Sequence, residues 1–112
     1  MAGADFANKL IWVMPGDGAG RFGTRVSTTT LNKPFSITAA HLDGDSKLDL
    51  VTLEFGSGSD GYVSVFLANS DGTFRQQTSL LAGNSLSRLV VADFNNDGKM
   101  DLAVTINSFG SV

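Results

Sequence analysis

Short apolar runs alternate with breaks rich in glycine, asparagine and aspartate along this chain. Residues 35–40, 50–55, 62–67 and 74–80 are short and rich in β-branched and aromatic side chains, so they read as strands. Within 62–67, Val63 and Val65 fall on one face, and 74–80 is more polar than the others. The breaks between them are residues 41–49, a glycine-rich turn at 56–61, and a hairpin turn of the Asp-Gly type at 69–72. Residues 87–92 and 102–106 are again short, apolar and β-branched, with residues 93–101 between them. Upstream, residues 10–14 and 24–30 also read as strands. The pattern predicts an all-β chain of hairpins.

The break at 93–101 carries the candidate chemistry. Asp93, Asn95, Asp97 and Asp101 stand at loop positions 1, 3, 5 and 9. Hard cations such as Ca²⁺ need several oxygen ligands at once, and this spacing offers them. Gly98 at position 6 permits a sharp turn, and Lys99 at position 7 offers its backbone carbonyl. The competing reading is a polar surface turn, which needs only two or three such residues. A helix–loop–helix site would place a Glu at position 12 between amphipathic helices. Position 12 is Val104 and the flanks are strands, so the expectation is a calcium loop within a β-hairpin. Residues 41–49 carry a second version, with Asp43, Asp45 and Asp49 at positions 3, 5 and 9 and Lys47 at position 7. Its position 1 is His41, a poorer calcium ligand than carboxylate, and Ser46 replaces the glycine. This site is expected to be the weaker one.

The two loops belong to an internal repeat with a constant offset of 52 residues. Residues 40–50 align on 92–102, Val13 on Val65, Gly20 on Gly72, Phe22 on Phe74, Asn32 on Asn84, and Gly58-Ser59 on Gly110-Ser111. One unit is four antiparallel strands, the signature of a β-propeller blade. The expected organisation is a half-blade over residues 9–33 (its third and fourth strands), a complete blade over 34–85, and the first two strands of another over 86–112. About two blades cannot close a ring, because a propeller needs about four. Exposed half-blade edges invite pairing. The expectation is therefore a head-to-tail homo-oligomer that completes a closed ring. Three copies, the favoured number, give six blades; four give eight. These half-blade ends also lead to the expectation of a truncated or engineered propeller fragment.

The run 92–104 together with Asn69-Ser70-Asp71-Gly72-Thr73-Phe74 resembles the VCBS/FG-GAP repeats, the integrin-α-like calcium-binding propeller blades. The resemblance covers residues 9–112. Phe-Gly pairs stand at 55–56 and 109–110 without the following Gly-Ala-Pro, so the broader VCBS type fits best. The resemblance implies structural Ca²⁺ and an extracellular setting. It also makes a lectin-like propeller, with carbohydrate bound between blades, the main alternative to a scaffold that binds protein.

Composition narrows the rest. The chain has 112 residues, enough for one domain, and no cysteine for disulfides or zinc-thiolate sites. Its net charge is −3, and two bound Ca²⁺ would bring it to +1. Lysines and arginines are scattered singly, which argues against nucleic acid. No run suits membrane insertion, and no signal peptide is visible at the start. Gly18, Gly20 and Gly23 match the dinucleotide pattern G-x-G-x-x-G, but a β-branched stretch follows where that site needs a helix. Phe22 and Phe74 are expected to pack between blades, and Trp12 to pack or lie at the surface. With one histidine and no nucleophile elbow, the chain reads as non-enzymatic.

Overall fold

A computed structural model describes residues 1–106; Phe109-Gly110 and Gly110-Ser111 of the repeat lie outside them. The described residues form nine strands in three antiparallel sheets, with no helix and no closed barrel among them. The first sheet joins β1 (Ala2–Asp5), β2 (Leu10–Val13) and β3 (Val26–Thr29) in that order. The second is a meander of β4 (Lys33–Ala40), β5 (Asp49–Phe55), β6 (Asp60–Ala68) and β7 (Phe74–Asn84). The third is the hairpin of β8 (Leu86–Ala92) and β9 (Asp101–Ile106).

The 52-residue repeat is carried into strand pairing. Ala40 pairs with Asp49 in the second sheet, and Ala92 with Asp101 in the third. Val65 pairs with Thr78, and Val13 with Val26. The turn chemistry follows. Asn69 donates its N–H to the Thr73 carbonyl (2.8 Å), and Asp17 donates to that of Arg21 (3.1 Å). Gly72 and Gly20, at the same place in these turns, adopt φ of 86° and 87°, the left-handed turn conformation that glycine enters without steric cost. The G-x-G-x-x-G stretch is thus a hairpin turn leading into β3, not a strand-to-helix phosphate loop.

Strand β5 is buried on both faces because it is central in its sheet and that sheet lies between the other two. On one face Val51 and Leu53 pack with Val63 and Leu86, against Leu89, Val91 and Val104 of the C-terminal hairpin. On the other, Leu50 and Phe66 pack with Ile11, against Ala4 and Val13 of the N-terminal sheet. Burying side chains of this size contributes about 1.5–3 kcal/mol each. This face-to-face stacking is blade-like. The face toward the N-terminal sheet also buries Glu54, whose carboxylate accepts from the Thr52 hydroxyl (2.7 Å) and the Asn32 N–H (3.2 Å).

Two expectations need correction. Strand β1 was not foreseen: Ala2-Gly3-Ala4-Asp5 has no β-branched or aromatic residue. Its pairing comes from tertiary context, because Gly3 lies so close to the Trp12 indole that a Cβ there would collide with the ring. Phe22 does not pack between sheets. It is 47% exposed, whereas its counterpart Phe74 is partly buried against Ile11, Leu50 and Phe66. Trp12 lies partly exposed, with the Arg25 guanidinium 5.1 Å from its ring centroid.

Candidate metal centre

Both acidic loops connect the first two strands of their sheets, β4 to β5 and β8 to β9. The last position of each loop is the first residue of the second strand, so Asp49 and Asp101 are fixed by the ladder. The remaining positions are shaped by side chains accepting from the loop's own backbone.

In the loop 93–101, the Asp93 carboxylate accepts from the N–H of Asp97 (3.1 Å) and of Gly98 (2.8 Å). Asn95 Oδ1 approaches the same Asp97 N–H (3.3 Å). Asp97 accepts from Lys99 N–H (2.9 Å), and Asp101 from Phe94 N–H (3.1 Å). Asn96 and Gly98 take left-handed conformations, with φ of 59° and 83°. The result is a concave loop in which one oxygen each from Asp93, Asp97 and Asp101 lie within 4.8 Å of one another. Like charges at this spacing repel by about 1 kcal/mol per pair even in a water-like dielectric. Such an all-oxygen, carboxylate-rich set suits a hard divalent cation.

In the loop 41–49, oxygens of Asp43, Asp45 and Asp49 also lie within 4.8 Å of one another. Asp43 accepts from Asp45 N–H (3.2 Å) and Asp45 from Lys47 N–H (2.9 Å). His41 stands outside this group. Its Nδ1 lies 3.1 Å from the Lys47 carbonyl, and because a carbonyl only accepts, Nδ1 carries the proton. The imidazole therefore takes one lone pair of the carbonyl that position 7 was expected to offer. Asp49 is fully buried, and its two oxygens accept from Leu42 N–H (3.1 Å) and Ala68 N–H (2.9 Å).

Position 4 of each loop was missed in the sequence. Gly44 (φ 80°) and Asn96 (φ 59°) both turn the chain there, and both residue types enter the left-handed region most readily. Their alignment under the repeat was the available signal. Position 6 is left-handed only at Gly98; Ser46, its counterpart, keeps a negative φ. Between the two loops lies a groove of about 450 Å³, with His41, Leu42, Asp43 and Gly44 on one wall and Gly98, Lys99 and Met100 on the other.

A four-stranded meander stacked between a three-stranded sheet and a hairpin that repeat parts of it, with acidic loops at equivalent hairpins, defines a blade-type β-repeat protein. The comparison with known families agrees. A model of the FG-GAP-like repeat matches residues 42–104, more than half of the chain, and the protein belongs to that family. No match was found among curated proteins or among solved structures.

Proposed function

We propose that this chain is a non-catalytic, calcium-binding propeller module that serves as a structural and interaction scaffold. The observation that carries this reading is the convergence of Asp93, Asp97 and Asp101 in a loop that also aims Asn95 inward. Asp93, Asn95, Asp97, Asp101 and the Lys99 carbonyl would hold one Ca²⁺. Asp43, Asp45 and Asp49 would hold a second, with the Lys47 carbonyl offering its remaining lone pair and His41 entering only if its hydrogen bond to that carbonyl opens. The ion relieves carboxylate repulsion and ties the two strands of each hairpin, so its binding energy adds to folding stability. Membership in the FG-GAP-like family supports the reading. Self-assembly of two-blade chains into a ring belongs to the same proposal.

Calorimetric titration of the chelator-treated protein with Ca²⁺ tests it. Two sites of unequal affinity are expected, together with a melting temperature that falls on chelation. Absence of heat and an unchanged melt would remove calcium from the account.

A carbohydrate-binding role is the second reading, favoured by the groove between the loops. Its walls come from neighbouring blade-like units and present Asp43, Lys99 and His41 beside the apolar Leu42 and Met100. Glycan-array binding lost in Lys99→Ala would support it, and an array without signal would discard it.

A further inference from the structure

Strand β1 sits where the repeat reserves room for a different strand. In the complete blade, β6 is flanked by β5 and β7. β2 and β3 reproduce β6 and β7 at the 52-residue offset and in the same register. The place beside β2 that corresponds to β5 is taken by β1. The repeat's own copy of β5 is β9, which among the described residues pairs only with β8.

The registers make this substitution specific. β5 pairs with β6 as Val51↔Val65, Thr52↔Ser64, Leu53↔Val63 and Glu54↔Tyr62. Carried along the repeat, β9 would meet β2 as Ala103↔Val13, Val104↔Trp12, Thr105↔Ile11 and Ile106↔Leu10. β1 meets β2 as Ala2↔Val13, Gly3↔Trp12, Ala4↔Ile11 and Asp5↔Leu10. Its four residues stand one for one in the places of Ala103, Val104, Thr105 and Ile106.

The faces agree as well. Val104 lies on the side of β9 that packs toward Val51 and Leu53, and Ile11 and Val13 lie on the side of β2 that packs toward Leu50 and Phe66. In a blade made of β9 from one copy and β2 from another, each strand keeps the packing it already has with its own central blade. Ala-Val-Thr-Ile is also a far better strand sequence than Ala-Gly-Ala-Asp. The exchange would cover Leu102 and Ile106, which are 37% and 53% exposed. It would also bring the Gly16 N–H, the counterpart of Ala68, to Asp101, which has one backbone N–H donor where Asp49 has two.

We propose that β1 is a placeholder strand: it closes the edge of β2 in the single chain and gives way to β9 of a second copy when chains associate head to tail. This rests on the self-assembling reading above and adds the residues that hold it in check.

A covalent lock tests the placeholder. Met1 and Met14 exchange both backbone hydrogen bonds (3.0 and 2.8 Å), so the next pair, Ala2↔Val13, is the close, non-hydrogen-bonded kind that suits a cross-strand disulfide. The chain has no other cysteine to interfere. Light scattering over a concentration series should find oxidised Ala2→Cys/Val13→Cys monomeric, with association restored by reductant. Gly3→Pro, which removes a β1 donor and crowds Trp12, should associate at least tenfold more tightly than the unaltered chain. Val13→Cys/Ala103→Cys should oxidise to disulfide-linked oligomers. An oxidised lock that assembles like the unaltered chain overturns the placeholder while leaving assembly intact. Monomers throughout, Gly3→Pro included, overturn assembly and the placeholder with it.

Discussion

The loops 41–49 and 93–101 share one design and divide its virtues between them. The first has the better frame. Asp49 is fully buried and both its oxygens are held, one by Leu42 N–H of the loop and one by Ala68 N–H of β6. The second has the better set of candidate ligands. Asp93 fills position 1 and accepts two backbone N–H groups, whereas His41 turns onto the Lys47 carbonyl. The difference in frame follows from position in the fold: among the described residues β5 has β6 as a neighbour, and β9 has only β8. Ligand set and structural support are thus separable properties of one motif, and a chain can retain either without the other.

The sharpest way to break this comparison is to delete the last acid of each loop. Asp49→Ala strands two part-buried N–H groups around a fully buried side chain and should cost about 2 kcal/mol or more, since each unsatisfied buried donor costs about 1–3 kcal/mol. Asp101→Ala releases one exposed N–H that water can satisfy and should cost about 1 kcal/mol or less. Chemical denaturation of both variants with chelator present isolates the frame from the ion. Equal losses would mean that β6 gives the first loop no advantage.

Ligand quality is tested next, with calcium present. Asp93→Ala should weaken the tighter site at least tenfold, about 1.4 kcal/mol. His41→Asp should tighten the weaker site by a similar factor, because a carboxylate there can accept backbone N–H groups as Asp93 does and frees the Lys47 carbonyl. Adding Ser46→Gly should increase the gain by permitting the left-handed turn that Gly98 makes at φ 83°. Titrations in which His41→Asp leaves both affinities unchanged would show that position 1 is not a ligand in this loop.

Much of the central sheet was legible in the chain. The alternation in 62–67 and the Asp-Gly turn before Phe74 located β6 and β7, because side-chain period and turn chemistry are local properties. The acidic residues of both loops were legible for the same reason: spacing alone puts their oxygens on one concave side. What escaped was set by distant parts of the chain. The burial of Glu54 was not read from the sequence; it is tolerated because Thr52 and Asn32 satisfy its carboxylate. β1 escaped because its pairing depends on Trp12 accepting a glycine against its ring. The His41–Lys47 hydrogen bond escaped because sequence spacing does not fix which way a ring turns.

The smallest expected effect compares the two hairpin turns. In the turn before β7, Asp71 accepts from the Thr73 hydroxyl and N–H, and these bonds hold its carboxyl below the ordinary value of 3.8. The equivalent position in the turn between β2 and β3 is Ala19, and there Asp17 caps the turn instead, accepting from Ala19 N–H at 2.7 Å and Arg21 N–H at 3.1 Å. A carboxyl whose folded pKa is depressed contributes stability above its unfolded value of 3.8 and loses it as pH falls through the folded value. Asp71 is fully exposed, so solvent screens the contribution and keeps it small. Asp71→Asn should therefore be slightly less stable than the unaltered chain at neutral pH, with the gap closing as pH drops below 3.8. Denaturation at pH 7 and at pH 3, with chelator present to remove any bound cation, reads this difference. A gap that persists unchanged at low pH would show that it does not arise from ionisation of the Asp71 carboxyl.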